Sequence, residues 1–426
     1  MDSEALSAVR QMFDEINQAV PRQPSAQADH ARHLFSLLAR DGGQVEAIGE
    51  PKYWRTKIDE LGTWTEDPWE GPTYGVDAST TRPIEYNNGL VVDTAYAKTA
   101  VTGDGAERSI ELSGRIAGAA YYDDADTTLR SMSLEGEYVT AELVRFPQLE
   151  EEPQNVAKAV ASVAQGLSES QQAHASLEDI NGALFLDGAI LPLGIVYWVL
   201  LDYAGGRSPA GDWDVPEEII STYIEVIDRQ WECDQPVIGI VKTSSMAQVL
   251  AALREKITLN DIRDENGRLL DLPWTRDHQF MSEVLRFDNL EYLTYTSWFV
   301  HKRQKVGGNL YELLEPLANR VGNGDPGDYR RAFCYVRLPK TGDLFRIEVP
   351  KLMIQDDERR EEIRLKTLKE IAQRQGVPPA IHRADRLARI SRENRDTIRN
   401  MITQTEYSYD YNWDGRWSDL DDAFTL

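Results

Sequence analysis

Two short apolar runs end on an aspartate followed by small residues, Tyr74-Gly75-Val76-Asp77-Ala78-Ser79 and Leu184-Phe185-Leu186-Asp187-Gly188-Ala189. Where two such strands lie side by side, their carboxylates meet at one sheet edge and form an oxygen site suited to a hard divalent cation. An aspartate at a strand end also commonly opens a turn. The repeated pattern favours the shared site, because a carboxylate on a core strand must be matched by a cation, a proton or a partner. Lys242 ends the apolar run from Val237 to Val241 just before Thr243, Ser244 and Ser245. A cation there, with hydroxyls and backbone N–H groups at a helix start, can hold a phosphate.

A second basic feature runs from Arg359 to Arg399, with twelve Lys or Arg against six Asp or Glu. Arg383, Arg386 and Arg389 step by three along it and share one side of a helix beside His382. The arginine fork matches phosphate oxygens, so this is a candidate phosphate track. The segment HKRQK at 301–305 is a smaller one. His30 and His33 lie three apart on an expected helix without a third ligand nearby, and read as ordinary surface histidines.

Elements must place these residues. Helical periodicity over 3–40, interrupted at Pro21 and Pro24, predicts two helices. The Asp77 run and the segments Leu90 to Val101 and Ile110 to Tyr122, the latter two separated by TGDGAE, predict a three-strand meander. Helices are expected from Thr128 to Phe146 and from about Val156 to Leu177, then the Asp187 strand. An apolar helix near 190–203, the loop GGRSPAGDWD, a helix from Glu217 to Glu232 and the Lys242 strand follow, with 246–300 mixed. RAFCYVRLP and LFRIEVP, joined at KTGD, predict a hairpin, and helices are expected over 357–375 and about 380–402. This is the pattern of a mixed α/β domain with helical additions. It divides into N-terminal helices over 1–60, the domain with insertions over 61–404, and an acidic, aromatic tail over 405–426.

The formal charge of -25 falls on a chain with only 12 Lys among its 46 basic residues, which suggests adaptation to a salt-rich cytosol that screens carboxylate repulsion. Such acidity ordinarily counts against a nucleic-acid partner, so the local basic stretch becomes the informative exception. Ten Trp and eighteen Tyr exclude disorder throughout. No apolar run reaches the ~20 residues that cross a bilayer. Ala189 to Leu201, between Asp187 and Asp202, reads as a buried helix, and the acidic N-terminus lacks a secretory h-region, so a cytoplasmic location without membrane is expected. Cys233 and Cys334 stand alone, which argues against structural zinc or a disulfide framework. Phosphate-loop and GxSxG patterns are absent, which disfavours an NTPase or an α/β-hydrolase.

Over residues 70 to 395 the order of motifs resembles a known family. The YGVDAS strand, two further strands, a Glu-bearing helix, LFLDGA, VIGIVKTSS, the hairpin ending LFRIEVP and the helix PPAIHRADRLARIS are similar to the NurA nucleases, archaeal DNA-end-processing enzymes. The family's two DGS motifs become Asp77-Ala78-Ser79 and Asp187-Gly188-Ala189, and the aspartates survive both changes. The resemblance implies an α/β, ribonuclease H-like mixed sheet with flanking helices. It also implies a Mn²⁺ or Mg²⁺ site built from Asp77, a helix glutamate, Asp187 and His382; Lys242 and the track of Arg383, Arg386 and Arg389, read above from their placement, would position phosphates beside it. The glutamate is Glu135, whose expected helix directly follows the meander, or Glu169, on the helix before the Asp187 strand; Glu135 is favoured. The activity implied is exonuclease trimming of DNA ends in double-strand break repair, with single-strand endonuclease activity. The assembly implied is a homodimer docked on a HerA-type hexameric ATPase. Two competing readings are a non-catalytic NurA-like subunit regulating that ring, motivated by the DGS changes, and a ribonuclease or transposase-like enzyme on the same core.

Overall fold

The computed structural model describes residues 3–19, 24–61, 69–86, 88–122, 129–149, 153–192, 213–242, 247–301 and 324–403. The N-terminal stretch forms the two expected helices, α1 (Ser3–Ala19) and α2 (Pro24–Ser36). Two strands follow that no hydropathy pattern signals, β1 (Val45–Ala47) and β2 (Tyr53–Lys57). Both are only partly buried, and they exist because they pair with strands from far along the chain.

Next come β3 (Thr73–Thr80), β4 (Ile84–Glu85), β5 (Val91–Thr102) and β6 (Gly114–Tyr121). β3, β5 and β6 form the expected antiparallel meander, with Asp77 opposite Lys98. The segment from Thr128 to Phe146, expected as a helix, is instead a hairpin of β7 (Met132–Glu135) and β8 (Val139–Arg145). The Gly136 N–H donates to the Val139 carbonyl at 3.0 Å and closes its turn. Val139, Thr140 and Val144 are β-branched and suit a strand, and β8 gains a parallel partner in β6, a long-range gain that local periodicity does not report.

The remaining elements are α3 (Pro153–Ala175), β9 (Leu184–Leu186), α4 (Val215–Glu232), β10 (Val237–Val241), α5 (Gln248–Leu259), α6 (Asp277–Val284), β11 (Tyr292–Thr296), β12 (Phe299–His301), β13 (Arg331–Arg337), β14 (Leu344–Pro350), α7 (Asp357–Arg374), α8 (Pro379–Ala388) and α9 (Arg392–Thr403). The single helix expected over 380–402 breaks at Arg389, which turns extended. Ser391 then accepts the Asn394 N–H at 3.1 Å and caps α9. The TSS hydroxyls at 243–245, most of HKRQK, most of the apolar segment near 190–203 and the tail over 405–426 lie outside the described residues.

The result is one mixed sheet in the order β1-β12-β13-β14-β10-β9-β3-β5-β6-β8-β7, flanked by helices. β9 is parallel to both β10 and β3 and buried along its whole length, as expected for a strand covered on both faces. α3 packs across β3, β5 and β6, with α4 against it, while α8 lies on β3 and β5. A second apolar cluster, including Phe35, Leu253, Phe280, Phe299 and Phe333, forms where α2, α5 and α6 meet β12 and β13. No helix among the described residues is long and apolar enough to cross a membrane.

Candidate active site

Val76 pairs with Leu186 across the parallel strands β3 and β9, so the next residues, Asp77 and Asp187, emerge side by side. The Asp187 N–H donates to the Val76 carbonyl at 3.1 Å, and the two carboxyl groups share a hydrogen bond. Asp77 is 5% exposed, so this pair sits at the floor of the site rather than on a solvated turn. Gly188 takes φ +134°, and a Cβ on Gly239 of β10 would lie 2.6 Å from the Gly188 carbonyl oxygen. The positive φ explains the glycine after the second aspartate, and the crowding explains the one at 239. Ala78 lies in regular extended β3 and needs none, which accounts for the change in the first motif.

Lys242 follows β10 and donates its Nζ to Asp187 Oδ2 at 2.6 Å. Glu169 reaches the pair from α3. Gln165, one turn earlier, donates to its Oε1 at 2.8 Å, the Tyr223 hydroxyl of α4 donates to its Oε2 at 3.3 Å, and the Ala78 N–H also bonds to it. Glu135 does not join them. It is exposed on β7 at the sheet edge, with β5, β6 and β8 between it and β3. At ~4.8 Å per strand that separation is about 19 Å.

The electrostatics follow from burying like charges together. Desolvation, then repulsion from Asp187 and Glu169, raises the Asp77 pKa well above the usual carboxylate range. Desolvation also raises Asp187, against the opposing pull of Lys242. Burial pushes Glu169 up to about 8, partly offset by its hydrogen bonds from Gln165 and Tyr223. A cation brought among these groups would displace protons and relieve repulsion.

α8 supplies the last wall. A Cβ on Gly75 would lie 2.4 Å from the Ala380 carbonyl carbon, so the start of α8 rests directly on β3. Within the next turn, His382 lies in the field of Arg374, Asp385, Arg386 and Lys242. Desolvation first, then the arginine charges, lower its pKa, leaving a neutral imidazole at pH 7. Asp385 adds a further negative charge facing Asp77 and Asp187. It escaped sequence reading, although its spacing of three from His382 was an available signal.

The arginine track is divided. Arg383 is committed to Glu111, its Nη2 donating to Oε2 at 2.7 Å and its Nε to Oε1. Arg386 and Arg389 are exposed. His30 stacks with Trp274, and its ring centroid lies 6.0 Å from that ring, which gives it a packing role. In donor chemistry Asp77, Glu169, Asp187 and His382 suit a hard divalent cation. As placed, no three acidic, histidine or cysteine side chains among the described residues converge in ligand geometry, and Lys242 holds the position beside Asp187 that a cation would take.

Comparison with known proteins bears on identity. Among curated proteins no sequence relative is found. Solved structures with a similar course include the NurA nuclease from Sulfolobus solfataricus, 10% identical, covering 95% of this chain and 97% of that one at TM-score 0.48. NurA with manganese is 9% identical, covering 95% and 99% at 0.42. NurA bound to dAMP and manganese is 11% identical, covering 95% and 98% at 0.42. The NurA domain family model matches residues 71–390 of the 426, which encloses every residue of the carboxylate site. By that match, the chain belongs to the NurA domain family.

Proposed function

We propose that this chain is a metal-dependent deoxyribonuclease that trims DNA ends. The observation that carries the reading is the gathering of buried Asp77 with half-buried Asp187 and Glu169 in a NurA-family chain, with too little positive charge to balance them. Asp77, Asp187 and Glu169, with Glu169 replacing Glu135, would hold Mn²⁺ or Mg²⁺, and His382 would assist. Such an ion supplies Lewis-acid stabilisation of the leaving oxygen and a nucleophilic water near neutral pH.

The chain's own groups divide the remaining work. Gln165 and Tyr223 fix the Glu169 carboxylate, as partners behind a ligand commonly do. Lys242 neutralises Asp187 in the absence of a cation and can turn its ammonium to a substrate phosphate when one is present. The neutral His382 imidazole can accept a proton beside the reacting phosphate. Arg386 and Arg389, exposed along α8 and its end, offer phosphate contacts, and Arg383 shares its charge with Glu111.

Exonuclease activity with single-strand endonuclease activity, a role in double-strand break repair, a homodimer and a HerA-type hexameric ATPase partner belong to this proposal through the family resemblance. So does a cytoplasmic location, and the acidic, lysine-poor composition supports a salt-rich one. One observation favours a non-catalytic subunit instead, namely that no ligand geometry is preformed among the described residues. End-labelled DNA incubated with the purified protein and Mn²⁺ separates the two. Cleavage that chelator abolishes supports the nuclease; intact DNA under all metal conditions supports the regulatory subunit.

A further inference from the structure

Beside α8 lies a pocket of about 400 Å³ whose polar lining is Thr102, Arg374, His382, Arg383 and Arg386. Its composition is unusual for a chain of charge -25, since no carboxylate lines it. Among the described residues, no acidic group lies within ion-pair distance of Arg374 or Arg386, although the other arginines of α7, Arg359, Arg360 and Arg364, each pair with a glutamate or aspartate one turn away. Arg383 is held in place by Glu111, which cancels its charge and fixes its guanidinium. The three arginines less Glu111 leave the pocket about two positive charges. His382 is a neutral donor or acceptor at its rim, and the Thr102 hydroxyl adds another.

We infer that this pocket takes the terminal phosphomonoester of a DNA strand. A phosphomonoester carries about -1.5 to -2 at pH 7, against -1 for an internal diester, and so matches the two unpaired guanidiniums. Arginine forks bind its three free oxygens better than they bind the two of a diester. The position suits end recognition, because α8 carries both the pocket residues His382 and Arg386 and, in Asp385, a charge that acts on Asp77 and Asp187. A strand whose end is anchored in the pocket passes over His382 and presents an internal phosphate to Asp77 and Asp187. The inference deepens the DNA-end reading and rests on it, with Arg374 and Arg386 as the residues that distinguish a phosphorylated end.

The test uses the whole protein in chelator, so that no cleavage occurs. One fluorescent single strand is prepared with a 5′-phosphate, a 3′-phosphate or hydroxyl ends, and its affinity is read by anisotropy at fixed salt. One phosphorylated form should bind roughly tenfold tighter than the hydroxyl form. The preference should vanish in an Arg374→Gln/Arg386→Gln variant, whose unchanged melting temperature shows that the fold is intact. Equal affinity for all three strands, or a preference that survives in the variant, overturns the inference. Inorganic phosphate titrated alone should bind far more weakly; affinity equal to that of the phosphorylated strand makes this a free-anion site and also overturns it. Cleavage in Mn²⁺ is scored separately. Cleavage without end preference removes the pocket assignment alone, and end preference without cleavage removes the nuclease reading alone.

Discussion

Two clusters of buried charge lie close together in this fold and follow opposite rules. In the first, Glu348 of β14 is fully buried between Arg331, at 3.6 Å, and Arg346, each about 1% exposed. Its Oε2 also accepts the Ile190 N–H at 3.3 Å and so tethers the loop that carries Asp187. In the second, Asp77, Asp187 and Glu169 gather with Lys242 as their one basic hydrogen-bond partner among the described residues. In the first cluster the carboxylate is fully compensated from within, by two guanidiniums, and serves as scaffold. The second is short of positive charge, and its carboxyl groups meet that deficit by holding protons until a cation from outside displaces them.

The comparison breaks most visibly if the second cluster is neutralised. Asp77→Asn or Asp187→Asn should lower Mn²⁺-dependent cleavage of end-labelled DNA by more than about 100-fold. The melting temperature of the metal-free protein should hold in Asp77→Asn, because an amide replaces a carboxyl group that already holds a proton. Cleavage at near the wild-type rate in either variant would place the site elsewhere.

The same operation on the first cluster should do the reverse. Glu348→Gln leaves two buried guanidiniums without their carboxylate and should cost about 3–5 kcal/mol in denaturant unfolding. An unchanged unfolding midpoint would show that this cluster is not the scaffold described.

A smaller effect sharpens the contrast through pH. Glu169 titrates at about 8 in the folded protein against an ordinary 4.5. Between those values the folded state holds a proton that the unfolded state has lost. Its contribution to stability is therefore complete below about pH 4.5 and is lost as pH rises toward 8. Melting temperatures of the metal-free protein across that window should fall less steeply in Glu169→Gln, while Glu135→Gln, on its exposed edge strand, should track the wild type.

The smallest effect concerns the arginines. Arg386→Gln should reduce the log-log salt slope of duplex DNA binding by roughly 0.9, the value for one lost phosphate contact. Arg383→Gln should change it much less, because Glu111 already engages that guanidinium. Equal changes would mean that Arg383 leaves Glu111 for DNA.

What the sequence made legible was local. An apolar run ending on Asp77 and another ending on Asp187 can be read residue by residue, and so can the helix that presents His382. The choice between Glu135 and Glu169 was not local, since it turned on whether 128–146 forms a helix. Its strands are stabilised by β6, whose pairing no window of neighbouring residues contains. The pairing of Arg383 with Glu111 spans 272 positions, so helical spacing alone could not separate a committed arginine from an available one. Glu169 did carry a signal, with Gln165 one turn before it on a helix otherwise rich in small residues.

The central claim is that the undercompensated carboxylates form a divalent-cation site, and calorimetric titration of the metal-free protein with Mn²⁺ at pH 7 tests it most directly. Runs in two buffers of different ionisation enthalpy report proton release together with affinity. The account predicts saturable binding that releases protons, because Glu169, with its pKa near 8, and Asp77, raised well above the usual carboxylate range, must give up their protons to become ligands. It also predicts binding weakened by more than about 100-fold in Asp77→Asn. Mn²⁺ affinity unchanged in Asp77→Asn, or binding with no proton released, would contradict it.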